Sequence, residues 1–351
     1  MDIISSIQQI YNRIADEKSK YIYMERLNYS ITKDLHFLQD MVDRTIRESD
    51  IWQSFCRQLA ASAAKKDMVI FGAGIWGNIL YSETCSFINW KKVIDSNPAG
   101  KRVGTLQVTG YKDFMRNYNG EMIVISSYKN QSEMLELLQK EGIIGAQILN
   151  AGTVIYELTE KAIYFDLEEL TPQEGEVFVD AGCYDGLTTR RFLEWCGGKG
   201  YSYCMEPDRQ NIASVKNNLG NDKRYEVVNK ALWSKTMMLS MNAKGNFATS
   251  VTEIGQDSGL PKIEAVSLDD LLENKTVTFI KMDIEGAEAE ALRGAEKVIK
   301  KYKPRLAVSI YHKTDDIWEI PKIILEYCPD YKLYLRHYSF SYYDTVLYAI
   351  S

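Results

Sequence analysis

Val177-Phe178-Val179-Asp180-Ala181-Gly182-Cys183-Tyr184-Asp185-Gly186 is an apolar, β-branched run that breaks into Asp-x-Gly-x-x-x-Gly. A helical pattern follows from Leu187 to about Trp195, and a second apolar run, Tyr201 to Met205, ends in Glu206-Pro207. Strand, glycine loop, helix and acid-tipped strand are the means by which an open α/β sheet holds an adenosine cofactor. Glycines admit the ligand close to the backbone, and the acid at the second strand's end takes the ribose hydroxyls. The dinucleotide fingerprint opens with Gly, whereas this loop opens with Asp, a carboxylate that can meet an ammonium group.

That difference points to S-adenosylmethionine (SAM), whose methionine end carries such an ammonium. On this reading Asp180 meets the methionine end directly or through water. Gly182 and Gly186 let the loop pass against the cofactor beside Tyr184, and Glu206, next to Pro207, binds the ribose. Asp185 reads either as a further contact or as a cap of the following helix. Asn229 and Ala231 are expected near the adenine, with Asn229 alternatively a turn former.

The pattern continues to the end of the chain. Asp208 can cap a helix to about Leu219, and Tyr225 to Val228 reads as a third strand. Val277 to Met282 and Leu306 to Ile310 read as the fourth and fifth strands, each followed by a helical stretch. Tyr331 to Leu335 and Thr345 to Ala349 form a closing hairpin-like pair. Alternating strands and helices predict a parallel, doubly wound α/β sheet, and the closing pair predicts one antiparallel strand. The expectation is a seven-stranded, Rossmann-like sheet of the class I methyltransferase type over residues 151–351.

Two segments precede it. Residues 1–66 read as a helical arm, with Ile3, Ile4, Ile7, Ile10, Tyr11 and Ile14 at helical spacing. This arm is either a cap on a neighbouring domain or a means of pairing two copies of the chain; Tyr21, Tyr23, Arg26 and Tyr29 could alternatively serve binding. Residues 67–150 read as a smaller α/β unit. Met68 to Phe71 leads into Gly72-Ala73-Gly74-Ile75-Trp76-Gly77, and Lys92-Val93-Ile94 ends in Asp95, a full Gly-x-Gly-x-x-Gly fingerprint with its acid. Gly72, Gly74, Gly77 and Asp95 are therefore candidate nucleotide contacts, or else glycines that only allow tight helix-on-strand packing. With Asp95-Ser96-Asn97-Pro98 and Gly110-Tyr111-Lys112-Asp113-Phe114, the unit resembles the small Rossmann-like domain at the front of bacterial sugar-modifying acetyltransferases. That resemblance implies a nucleotide or nucleotide-sugar at the glycine loop.

Composition narrows the partners. The 351 residues exceed one ordinary core. The net charge of −6 argues against nucleic acid or an anionic membrane as the main partner. No apolar run is long enough to span a bilayer, and no secretory signal is legible. Cys56, Cys85, Cys183, Cys196, Cys204 and Cys328 show no CxxC spacing, which suits reduced thiols in a cytoplasmic protein. The three histidines are scattered, so no multi-histidine metal site is expected.

Several motifs in order identify the C-terminal region as similar to the FkbM family of SAM-dependent methyltransferases. They are Val179 to Gly186, Glu206-Pro207-Asp208, Asn229-Lys230-Ala231-Leu232, Val266-Ser267-Leu268-Asp269-Asp270-Leu271, Phe279-Ile280-Lys281-Met282-Asp283-Ile284-Glu285-Gly286-Ala287-Glu288, and Ser309-Ile310-Tyr311-His312. The resemblance implies an O-methyltransferase acting on a small molecule or glycan. Asp283, at the end of strand four, is expected near the cofactor's methyl group and as an orienter. Glu285 lies nearby, and Glu288 is read as a first-turn carboxylate favouring the helix dipole. Lys281 is read as a buried ion-pair partner. His312 is the candidate base, because an ordinary histidine titrates near neutrality. A rival arrangement makes Asp283, Glu285 and His312 ligands of a divalent cation. Two other classes compete: a nicotinamide-dependent oxidoreductase using the first glycine loop, and a non-catalytic nucleotide-binding protein.

Overall fold

A computed structural model describes residues 3–242, 249–253 and 259–351. The chain divides into two compact units. One comprises Val42–Ala162 with Tyr338–Phe340, and the other Met1–Met41, Ile163–His337 and Ser341–Ser351. The sequence divided the chain elsewhere, at 66 and 150. Helices over the first 41 residues belong instead with the C-terminal sheet, for a reason given below.

The smaller unit is built on β1 (Met68–Phe71), β2 (Trp90–Asp95), β3 (Arg102–Val103), β4 (Leu106–Gly110), β5 (Met122–Ile125) and β6 (Ile148–Asn150), in the order β3-β4-β2-β1-β5-β6. All pairings are parallel except the β3–β4 edge. β1 and β5 are buried along their whole length, as expected of strands covered on both faces. Phe71 stacks on Tyr111 with centroids 5.3 Å apart.

The larger unit contains β7 (Val177–Ala181), β8 (Tyr201–Met205), β9 (Tyr225–Val228), β10 (Ala231–Leu232), β11 (Met237–Asn242), β12 (Ser250–Thr252), β13 (Lys262–Val266), β14 (Phe279–Met282), β15 (Arg305–Ser309), β16 (Lys332–His337) and β17 (Thr345–Ile350). Seven of these form one sheet in the order β16-β17-β15-β14-β7-β8-β9, with β17 antiparallel to both its neighbours. This is the expected doubly wound layout. The sequence did not reveal a second sheet, β10-β13-β11-β12, inserted between β9 and β14.

Register decides where the chemistry falls. Ala181 pairs with Met205 on one side and with Met282 on the other, and Met282 pairs with Val308. The central strands therefore end level, and the residues after them emerge along one carboxyl edge. Beneath that edge lies an aromatic core in which Phe178 stacks on Phe192 at 4.5 Å and meets Phe279 at 5.2 Å.

Helices Ile3–Arg13 and Glu17–Thr32 dock on the β16 side of this sheet. Ala15 N–H donates to the Leu333 carbonyl at 2.9 Å, and Leu335 N–H donates to Ser19 Oγ at 2.8 Å. Of the apolar stripe seen in the sequence only Ile10 and Ile14 are buried, while Ile3, Ile4 and Tyr11 are exposed; Ile22, Tyr23 and Leu27 of the second helix complete the docking face within the chain. Arg26 is also buried there, donating from Nε to Thr345 Oγ1 at 2.7 Å and from Nη2 to the Tyr342 carbonyl.

Candidate active site

A cleft opens at the carboxyl edge of the larger sheet. Its lining includes Gly182 and Tyr184 after β7, Glu206 and Pro207 after β8, Ala231 and Leu232 of β10, and Asp283, Ile284 and Glu285 after β14. Lys230, Thr249 and Val251 contribute from the inserted sheet's side.

Strand ends and loop are bound together by backbone. Gly182 N–H and Cys183 N–H both donate to the Met205 carbonyl, at 3.0 and 3.1 Å, and Asp283 N–H donates to the Ala181 carbonyl at 3.1 Å. Gly182 has φ +76°, and a Cβ there would lie 2.0 Å from the Asp283 carbonyl oxygen. Only glycine lets the loop close over the end of β14.

Glu206 is buried at one end of the cleft. One carboxylate oxygen accepts from Tyr184 N–H at 3.0 Å; the other accepts from Asp208 N–H at 2.8 Å and Asn211 Nδ2 at 3.2 Å. Burial outweighs these three donors and pushes its pKa up to about 7.

Asp283 occupies the other end. Its Oδ2 accepts from Tyr164 Oη at 2.7 Å and its Oδ1 from Tyr311 Oη at 3.0 Å. Burial works to raise its pKa, but the Lys281 ammonium, the His312 ring and the two phenols hold it below the usual carboxylate range. His312 Nε2 lies 3.6 Å from Asp283 Oδ1 and 3.7 Å from Glu285 Oε1, while Nδ1 lies 3.0 Å from Glu288 Oε1. Glu288 is fully buried, and its Oε1 also accepts from Ile284 N–H at 2.8 Å.

Several expectations are corrected by placement. Asp180 is completely buried beneath the loop. The β7–β14 register sets it directly beside Lys281, whose ammonium is 3.2 Å away, and Thr189 Oγ1 donates to it at 2.8 Å. It neutralises Lys281 rather than facing the cleft. Lys281 also donates to the Gly182 carbonyl at 2.7 Å, so this pair holds the loop from below. Asp185 takes its capping alternative, accepting from Leu187 N–H at 3.1 Å. Gly186, at φ +80°, packs on Val215 and Leu219. Asn229 takes the turn-forming alternative: its Nδ2 donates to the carbonyls of Glu206 and Pro207 at 3.0 and 2.8 Å.

His312 does not titrate near neutrality in the free protein. Burial favours the neutral ring, but Glu285, Glu288 and Asp283 overcome it and raise the pKa to about 10. Asp283, Glu288 and His312 do offer three ligand atoms within 4.8 Å of one another. The two ring nitrogens nevertheless face different carboxylates, a geometry that suits an imidazolium between anions better than one nitrogen converging with both acids on a cation.

In the smaller unit, the Asp95 carboxylate is engaged by its own surroundings. It accepts from Ala73 N–H and Asn97 N–H, each at 2.8 Å, and pairs with Lys101 at 3.2 Å. A Cβ on Gly72 would lie 2.6 Å from Ser126 Oγ, and one on Gly77 would lie 2.1 Å from the Gly72 carbonyl oxygen, so both glycines answer to packing. At Gly74 a Cβ would meet open space.

Two residues around Asp283 escaped the sequence reading. Tyr311 adjoins His312 inside a motif and could have been suspected. Tyr164 lies in no motif and precedes the first strand of its sheet.

The sheet order, the glycine loop closed on β14 and the acid at the end of β8 together define a class I SAM-dependent methyltransferase. Residues 180–342 match the family model described as the methyltransferase FkbM domain, so the C-terminal part of the chain is an FkbM-family methyltransferase domain. The cofactor is SAM, and the cleft fits it. The loop cradle admits no side chain at Gly182, and the carboxylates of Glu206 and Asp283 stand at the two ends of the cleft.

A curated relative, 2-O-methyltransferase NoeI of Sinorhizobium fredii (strain NBRC 101917 / NGR234), is 23% identical over 159 residues. The match covers 40% of this chain and 65% of that protein, less than two thirds of its length. The crystal structure of an FkbM methyltransferase from Methylobacillus flagellatus KT has a TM-score of 0.48 at 19% identity, covering 90% of this chain and all of that one. Aeropyrum pernix fibrillarin, solved with bound SAM, has a TM-score of 0.37 at 12% identity, covering 54% of this chain and 73% of that one. Among the described residues no helix is long and apolar enough to cross a membrane.

Proposed function

We propose that this methyltransferase acts on a hydroxyl oxygen of a sugar or other glycan-like small molecule. The observation that carries the reading is a histidine–carboxylate cluster: Asp283 and Glu285 line the end of the cleft away from Glu206, His312 sits against both, and Glu288 lies against its other ring nitrogen. Methyl transfer to a neutral hydroxyl releases a proton, and this cluster can take it. The name of the relative, a 2-O-methyltransferase, supports an oxygen acceptor.

SAM supplies, when bound, a methyl group already activated on a positively charged sulfur. Glu206 holds the ribose hydroxyls, with Pro207, Ala231 and Leu232 offering apolar surface for the base. Asp283 holds the cationic methionyl end and orients it. Glu285, on the cleft wall at φ +55°, faces the acceptor. Glu288 lies against Nδ1 of His312, whose Nε2 faces the carboxylates of Asp283 and Glu285 on the cleft wall. In the free protein His312 keeps its proton, because the surrounding acids favour the charged ring. It becomes a competent base once positive charge in the cleft offsets those acids. Enclosure of the reacting atoms excludes water and fixes their alignment.

The test separates binding from chemistry. Glu206→Ala is expected to weaken SAM affinity at least tenfold in calorimetry, with circular dichroism unchanged. His312→Ala is expected to retain SAM binding and to lower single-turnover methylation of candidate sugar hydroxyls by about 10²-fold or more. Full turnover by His312→Ala would overturn the base assignment; undisturbed SAM binding by Glu206→Ala would overturn the cofactor orientation.

A further inference from the structure

Tyr164 is a non-glycine residue at φ +73°, in the left-handed region, and is almost completely buried. That backbone is costly for a bulky side chain and persists only where its surroundings impose it. Two interactions fix it here. Its N–H donates to Tyr348 Oη on β17 at 3.1 Å, and its own hydroxyl donates to Asp283 Oδ2 at 2.7 Å. Between them the ring lies against the Lys281 ammonium, 5.3 Å from the centroid. Tyr164 thus touches both charges at the end of β14, the lysine that carries the cofactor loop and the aspartate that faces the cleft.

Both oxygens of Asp283 accept a phenol, one each, which fixes the plane of the carboxylate. Burial keeps Tyr164 a neutral donor, its pKa driven well above the ordinary phenol value, with Asp283 itself adding to the shift. The charged groups around Asp283 are Lys281 on its own strand, with Asp180 behind that lysine, and His312 and Glu285 on the cleft side, with Asp344 near the two phenols.

We infer that Tyr164 is a positioning residue for methyl transfer, holding the Asp283 carboxylate in the orientation that receives the cationic end of the cofactor. The inference rests on the reading of Asp283 given above. It reaches outside the matched methyltransferase domain, which begins at residue 180.

A double-mutant cycle on the full chain tests it, with S-adenosylhomocysteine affinity measured by calorimetry. Tyr164→Phe keeps the ring and is expected to weaken binding about tenfold or more, the scale of a lost hydrogen bond to a charged group. In the Asp283→Asn background the same change should alter binding less than twofold. The acid limb of binding should rise by about one pH unit in Tyr164→Phe, because a carboxylate that loses a donor protonates more readily. Additive effects in the cycle would mean a merely structural tyrosine and would overturn the inference, as would unchanged affinity in Tyr164→Phe. Wild-type affinity in Asp283→Asn would overturn the underlying reading as well, whereas a loss in Asp283→Asn with none in Tyr164→Phe would overturn the Tyr164 role alone. Should Tyr164→Phe fail to fold, Tyr311→Phe provides the same cycle on the other oxygen without touching the strained backbone.

Discussion

Glu206 is a carboxylate placed where burial works against its charge. The unfolded chain releases this proton near 4.5, the ordinary glutamate value, and the folded protein keeps it to about 7. Between those values the folded state binds more proton, so the contribution of Glu206 to stability falls as pH rises. The shift corresponds to on the order of 3 kcal/mol. Urea unfolding without cofactor, compared between wild type and Glu206→Gln, should show the difference moving in favour of the variant by roughly that amount from pH 4.5 to pH 8. A difference independent of pH would show that Glu206 ionises normally in the free protein. At this scale the sequence was informative about identity and less so about surroundings. Glu206 and Asp283 were legible because a strand-end acid beside a glycine loop has few other uses. The burial of Asp180 was not, because it depends on Lys281 being its partner across the β7–β14 ladder, a register that no local pattern states.

Among the elements, those built from continuous apolar runs were readable. β7, β8, β14 and β15 are buried over nearly all their length, and the ends of the first three appear in the sequence as a glycine or an acid. The inserted sheet was hidden because its strands are short and partly polar, as in Lys262–Val266, where charged residues flank Ile263. The helices over Ile3–Arg13 and Glu17–Thr32 were legible as helices, but their partner was not, because it lies at the far end of the chain. The loop between β7 and its helix yields a prediction of its own. Gly182→Ala would set a methyl into the Asp283 carbonyl, and overpacking of this kind costs about 1–3 kcal/mol. Thermal unfolding should register that loss, and SAM affinity should fall with it because the same displacement moves the cleft wall. A Gly182→Ala protein with wild-type stability and affinity would show that loop and strand end are not locked together.

For the whole molecule, two compact units carry two glycine loops, and among the described residues the cleft at the larger unit's loop is lined by carboxylates, Glu206, Asp283 and Glu285. Differential scanning calorimetry of the full chain should therefore show S-adenosylhomocysteine raising the transition of the larger unit, by about 2.7 kcal/mol at a hundredfold excess over its Kd. NAD should leave the thermogram unchanged; a shift with NAD would return a nucleotide role to Gly74 and its neighbours. The docking of the first helices on β16 has a consequence for how the protein is made. Ile14 bridges to Leu333, and Ser19 receives the backbone N–H of Leu335 across 316 residues. Residues 42–162 can fold as they leave the ribosome, since almost all of the smaller unit is contiguous. The helices synthesised before them must wait, apolar faces uncovered, until β16 emerges. Chaperone demand during translation should thus fall on these two helices, which are made more than 300 residues before the strand they dock on.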